Sequence, residues 1–287
     1  MTGLAIGLAA AAGLAAAAGD VLQRGSARHE KSDPHESVRL LVRLLRRPLW
    51  LLGVLTSLVG LGLHVAALSL GQLAVVQPVL ITELPLSVLG SALFLGHRLT
   101  ARDWGAVALL AVALGGFVAL LAPERGDPLA VTGATWAIGV GALLVLVGVL
   151  TAVAWRVRPG PRAALLGVAS GAGYGLAGVL FAAAGRRIGP EGPAAALTTW
   201  QAYAAVAAGL VAFYLLQNAL AAGTLVAAGP GVTLTNPLVA VLWGVLVFGE
   251  TTATGWRLAA ALVAAALIVL GVVVLARSPA LRDGEDG

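Results

Sequence analysis

Glu83 is the residue with the most chemical promise in this chain, because its neighbours give it no evident reason to be charged. It sits in QPVLITELPLSVLG, residues 77–90, between Pro78 and Pro85 and inside a long apolar run. Each proline lacks an N–H and displaces the carbonyl four residues before it, so Ala74 and Ile81 lose their helical donors. Hydrocarbon cannot replace those bonds, so this side of the segment must face protein or a water-filled cavity. A carboxylate there can hold a cation, or alternate between a proton and a substrate. The competing reading is a protonated carboxyl hydrogen-bonded to a neighbouring helix. Gln77, at the head of the stretch, is grouped with Glu83 as a substrate-binding candidate.

Few other polar groups share this setting. Asp20 and His64 also lie within apolar runs, whereas nearly all remaining charged residues fall in loops or at the ends of runs. A charge at the bilayer centre costs about 2.5–3.5 kcal/mol on insertion scales, which makes such residues functional candidates. Histidine's reference pKa of about 6.5 is close to physiological pH, so His64 could relay protons; a packing hydrogen bond explains it equally well. Asp20 stands four residues before Arg24, and an interfacial ion pair is the expected reading. Asn236 precedes Pro237, with Thr233 and Thr235 within the preceding turn. That amide and those hydroxyls could orient a polar substrate or satisfy the kink. Tyr174 joins the candidates, with Trp200, Gln201, Tyr203 and Gln217 as weaker ones.

Composition decides what solvent positions these residues. Hydrophobic residues make up 59% of the 287 positions and charged residues 11%, and mean hydropathy is +0.95. Globular domains carry about 25% charged residues. The apolar runs reach the length that reads as a membrane-spanning helix. The expectation is an all-α polytopic membrane protein; a transmembrane barrel would show short alternating segments instead. The net charge of +5 suggests nucleic acid, but the basic residues lie between apolar runs, so no nucleic-acid partner is expected. With no cysteine, thiolate metal sites and thiol nucleophiles are excluded. The histidines at 29, 35, 64 and 97 show no ligand spacing. No paired carboxylates, Ser/His/Asp grouping or ATP-binding motif stands out, so neither an enzyme nor a cofactor is expected.

About nine spans are expected, near 1–22, 48–69, 73–96, 104–122, 132–154, 163–185, 196–216, 225–249 and 256–276. The boundary through LLQNALAAGTL leaves room for a tenth. The first run lacks a basic n-region, so it reads as an uncleaved span and not as a signal peptide. Arg and Lys concentrate between 23 and 47 and in alternate loops, which places the N-terminus outside and the C-terminus in the cytoplasm. The stretch SVRLLVRLLRR has a basic and a leucine face, which suits a helix along the inner surface or a solvated connector. Trp50, Trp104, Trp136, Trp155 and Trp256 stand at span ends as interface anchors. GVASGAGYGLAG carries small-residue spacings suited to close helix packing.

Shifting the chain by 152 positions lays ALSLGQLAVVQPVLITELPLS over ALAAGTLVAAGPGVTLTNPLV. Pro78 meets Pro230, Pro85 meets Pro237 and Trp104 meets Trp256, while Glu83 falls opposite Thr235. The shift carries the third span onto the eighth. Five is odd, so the copies run oppositely through the bilayer, an inverted-topology repeat typical of secondary transporters. Residues 1–122 would form the first repeat, with its basic loop 23–47, and residues 123–287 the second.

This pattern, with FGE at 248–250 and a Gly-rich last helix, resembles the drug/metabolite transporter superfamily, in particular its EamA-like and NIPA-like branches. RRPLWLLG at the start of the second span and the nine-span count lean towards the NIPA-like, magnesium-transporter branch. The first copy differs in reading LGHRLT, with His97 and Arg98 where the family often has Gly-Glu. The resemblance implies a secondary transporter of a small polar solute, with export favoured, or alternatively a Mg²⁺ permease in which Glu83 would touch the metal. The partners expected are the cell-membrane bilayer and a small-molecule or ion substrate, and a homodimer stays open.

Overall fold

The structure, a computed structural model, describes residues 2–27, 46–95, 99–121, 123–124, 126–222 and 225–275. Among these the chain is helical, and the sole strand-like pairing is an isolated bridge between Glu124 and Thr251. The helices are α1 (Thr2–Ala27), α2 (Pro48–Leu70), α3 (Leu73–Leu80), α4 (Glu83–Leu95), α5 (Ala101–Leu121) and α6 (Gly133–Ala154). They continue as α7 (Pro159–Glu191), the short α8 (Pro193–Thr198), α9 (Trp200–Ala222), α10 (Leu225–Leu246) and α11 (Trp256–Leu275).

Nine segments among the described residues are long and apolar enough to cross a membrane, α3 and α4 together making the third. The protein is therefore an all-α, multi-pass membrane protein. No tenth span divides α9, which runs unbroken through LLQNAL. The seventh span begins at Trp200, not near 196, because Gly192 (φ 81°) and Thr199 in extended conformation set off the short α8 before it. The eighth ends at Leu246, ahead of Gly249, whose φ of 69° favours a residue without a side chain. His97, Arg98 and most of SVRLLVRLLRR lie outside the described residues.

The helix limits carry the 152-residue spacing of the sequence. α2 and α9 both begin and end 152 positions apart, and Leu73 of α3 and Leu225 of α10 begin their helices in the same register. The neighbours correspond as well: α1 packs along α2 and along α3–α4, as α7 packs along α9 and α10. α5 pairs with α11, and α6 lies against α7.

A buried cluster drawn from α1, α2, α3, α6, α7, α9 and α10 fills the end of the bundle at which α1 begins. Trp136 belongs to it. Expected as an interface anchor, it is 5% exposed and meets Trp200, Trp243 and Phe248 at ring-centroid distances of 5.4–5.8 Å. The packing reason is Gly139 one turn on, where the Trp243 ring takes the place of a side chain and draws α6 inward. Trp104, Trp155 and Trp256 are more than half exposed, as anchors should be.

Candidate functional site

A cavity of about 710 Å³ occupies the middle of the bundle, between α1, α2, α3–α4, α7, α9 and α10. Its wall includes Glu83, Gln77, His64, Tyr174, Thr233 and Asn236, six of the residues that the sequence singles out. Thr235, the seventh, is turned away from it. Gly171 of α7 has no side chain, and a Cβ there would come within 2.9 Å of the Thr235 Cβ and 2.8 Å of the Val232 carbonyl oxygen. Thr235 therefore serves the close packing of α7 on α10. The weaker candidates Trp200, Gln201, Tyr203 and Gln217 do not line the cavity. Tyr203 is 67% exposed on the outer face of α9, and Gln201 is buried with its Oε1 unpartnered.

A break in the third span aims Glu83. Between α3 and α4 the backbone tightens: Ile81 N–H donates to Pro78 O at 3.0 Å, Thr82 N–H to Val79 O at 3.1 Å and Leu84 N–H to Ile81 O at 3.1 Å. These are bonds three residues apart, the 3₁₀ pattern. The Ile81 carbonyl that Pro85 frees is thus satisfied by Leu84, and the Thr82 hydroxyl adds a bond to Val79 O at 2.7 Å. A 3₁₀ step turns the chain by about 120° against about 100° in an α-helix, so a few such steps rotate the next helix by tens of degrees. Glu83 is the first residue of α4, where unsatisfied N–H groups favour a carboxylate.

Polar groups lie along the cavity in two tiers. In one, Gln77 is 1% exposed and its Nε2 approaches His64 Nε2 at 3.4 Å. Gly178 makes room for it, since a Cβ there would overlap the Gln77 amide. Gln77 Oε1 and Asn236 Oδ1 are buried without a hydrogen-bond partner. In the other, Ser87 Oγ donates to Asp20 Oδ2 at 3.5 Å, and Gln23 Nε2 donates to Ser57 Oγ at 3.1 Å. Asp20, Ser57 and Ser87 line the same cavity as Glu83. The spacing of Asp20 to Arg24 predicts an interfacial pair. The Arg24 side chain lies outside the described residues, and Asp20 faces the cavity because α1 and α4 run side by side. Gly13 abuts Thr82 and Glu83, and Val21 abuts Gly90, so Asp20 falls beside Ser87.

At the start of α3 lies a second polar device that sequence reading misses. Glu250, in the loop between α10 and α11 and 4% exposed, accepts Leu73 N–H at 2.7 Å and Ala74 N–H at 3.0 Å. It caps α3 from 177 residues away, filling the N-terminal role that a local Ser or Asp usually takes. Burial pushes the Glu250 carboxyl above its ordinary range, while the two backbone bonds and the nearby Arg186 pull it down. Arg186 also donates to Gly71 O at 3.1 Å. Neighbouring loops are knitted by Gln72 Nε2 to Pro123 O (3.2 Å), Glu124 N–H to Thr251 O (2.8 Å) and Asp127 N–H to Phe248 O (2.9 Å). The end of the bundle where α1 begins is thus closed by a packed core and a buried carboxylate. FGE at 248–250 stands out as a pattern, but nothing local shows that its carboxylate caps a distant helix.

No family model and no solved structure matches the chain. It is 30% identical over 249 residues to the uncharacterized protein Cgl0250/cg0304 of Corynebacterium glutamicum, a match that covers 85% of each chain. With that identity running through nearly the whole bundle, the chain belongs to the same family as the Corynebacterium glutamicum protein.

Proposed function

We propose that this protein is a secondary transporter of the drug/metabolite type. It moves a small polar solute across the cell membrane by alternating access, with the N-terminus outside, the C-terminus in the cytoplasm and export favoured. Residues 1–122 and 123–287 act as the two inverted repeats. The observation that carries this reading is the central cavity of about 710 Å³, walled by both halves and set at a proline-flanked helix break that presents Glu83. Discontinuous helices at a midplane site between inverted repeats are a transporter arrangement. The volume lies within the range of small-molecule pockets.

Glu83 binds the substrate or a proton in turn, and Gln77, Asn236 and Thr233 orient it. The closed end, with Glu250 bridging the repeats, is one of the two positions of the alternating cycle. A divalent-cation permease is the second reading, favoured by two carboxylates, Asp20 and Glu83, in one cavity.

The test is a flux screen in proteoliposomes under an imposed pH gradient, with organic solutes and Mg²⁺, comparing wild type with Glu83→Gln. Organic flux that follows the pH gradient and is lost in the variant is expected. Mg²⁺ flux alone would favour the second reading, and flux indifferent to Glu83→Gln would overturn the site.

A further inference from the structure

The wall that α7 gives the cavity has the form of a slot for a flat ring. Tyr174, Ala177, Gly178 and Phe181 all line the cavity, and their spacing of three and four residues puts them on one face of the helix. Seven residues of helix advance by about 10 Å, so the two aromatic side chains stand apart with small residues between them. Into that gap α3 sends the Gln77 amide: a Cβ at Gly178 would overlap its Nε2. Asn236 packs three residues earlier on the same helix, its carbonyl oxygen lying 2.8 Å from where a Gly175 Cβ would be. Both amides line the cavity. Gln77 is 1% exposed, and its Oε1 and the Asn236 Oδ1 are buried without a hydrogen-bond partner. A side-chain amide carries an acceptor and donors side by side, so its complement is another amide, with N–H and C=O on one edge. Burial makes an unmet acceptor costly, and a ligand N–H removes that cost.

We infer that the cavity takes an aromatic carboxamide, its ring between Tyr174 and Phe181 and its amide edge against Gln77 and Asn236. This rests on the transporter reading and narrows it to a substrate class. A carboxylate head is disfavoured, because it would set its oxygens against two buried acceptors. An alkylammonium head needs a countercharge once it leaves water. Asp20 and Glu83 are already engaged within the protein, Asp20 with Ser87. A neutral amide asks for no countercharge and leaves Glu83 to the proton. A tertiary amide keeps the ring and the carbonyl but offers no N–H. The flat ring suits the aromatic pair, where offset and edge contacts add to simple burial.

The experiment is a ligand-observed NMR titration of the full-length protein in nanodiscs, against empty nanodiscs. The probes are benzamide, N,N-dimethylbenzamide, cyclohexanecarboxamide, benzylamine and benzoate, and their flux is followed in proteoliposomes. Benzamide is expected to bind about tenfold or more tightly than N,N-dimethylbenzamide or benzylamine, and benzoate not at all. Against cyclohexanecarboxamide, which has the same head on a saturated ring, the expected gain is about fivefold. Gln77→Leu is expected to lower benzamide affinity about tenfold and leave N,N-dimethylbenzamide within about twofold. A merely structural role for Gln77 would weaken both alike and so overturn the assignment. The comparison of probes needs only the wild-type protein, so it stands even if a variant fails to fold. Equal Kd values for benzamide and N,N-dimethylbenzamide, or tighter binding of benzylamine, would overturn the amide head. Equal Kd values for benzamide and cyclohexanecarboxamide would overturn the ring slot. Proton-driven flux of other solutes without benzamide binding would overturn the carboxamide assignment and leave the transporter reading standing. Benzamide binding without flux of any solute would do the reverse, and neither binding nor flux would sink both.

Discussion

The third and eighth spans carry prolines in the same register, yet one is broken and the other is not. Leu73–Leu80 and Glu83–Leu95 are separated by a 3₁₀-like turn, whereas Leu225–Leu246 runs through Pro230 and Pro237 as one helix. Prolines alone therefore do not break these helices; what packs against them does. α10 lies against the small residues of α7, and its backbone is held straight by contacts such as that of Gly171 with Val232 and Thr235. α3 is fixed at its start by Glu250, which reaches across from the other half, and its turn settles beside Gly13 of α1. The outcome is that Glu83 enters the cavity, while Thr235, its register partner, is spent on helix packing.

The sharpest test of that contrast is a matched pair of substitutions. Glu83→Gln should reduce pH-driven flux by about tenfold or more, and Thr235→Val should leave it within about twofold. Equal losses in proteoliposomes would erase the distinction between the spans.

Next in size is an attempt to convert one span into the other. Pro85→Ala returns an N–H that can bond Ile81 O four residues back, which would straighten the break and swing Glu83 away. Flux should fall several-fold without a loss of thermal stability, while Pro237→Ala should retain flux. Hydrogen exchange across residues 78–86 would report the added helical bond, and an unchanged exchange pattern with full flux would contradict the role of the break.

Much of this fold is legible in the sequence, for reasons that are local. Nine apolar runs of bilayer length give nine spans among the described residues, and the 152-residue register reappears in the limits of α2 and α9. Six of the seven site residues that the sequence singles out line one cavity because polar groups in apolar runs have few places to go. The features hidden from the sequence depend on contacts between distant segments. Asp20 reads as half of an interfacial pair, and its place beside Ser87 follows only from the alignment of α1 with α4. Glu250 reads as a loop residue, since its partners Leu73 and Ala74 lie in the other half of the chain. Thr235 is misplaced by sequence reasoning because only the position of Gly171 tells which face of α10 meets α7.

The cross-chain cap gives a smaller effect. Glu250→Gln should cost about 2 kcal/mol, the scale of hydrogen bonds to a charged group, read as a lower Tm in detergent. It should also change the pH dependence. Burial, the largest influence, raises the folded carboxyl above its unfolded value despite the opposing backbone bonds and Arg186. A raised carboxyl contributes stability that is full below the unfolded pKa and is lost as pH rises through the folded one. The wild type should therefore gain stability on acidification from neutral pH relative to Glu250→Gln; parallel curves would contradict this. Smallest is Gly178→Ala, where the new Cβ meets the end of the flexible Gln77 side chain. A cost near about 1 kcal/mol, read in Tm, and a modest loss of flux are expected, and none at all would show that the seat of Gln77 is loose.

The most direct measurement uses the absence of cysteine from the chain. Ala16→Cys places a thiol, free of native background, in the wall of the cavity. Labelling by a membrane-impermeant thiol reagent is then measured in vesicles of both orientations, with and without Glu250→Ala. Alternating access predicts that the introduced thiol reacts from either face, and that loss of the Glu250 cap shifts reactivity towards the face where α1 begins. Labelling from one face only, unmoved by Glu250→Ala, would contradict a cavity that two halves open by turns.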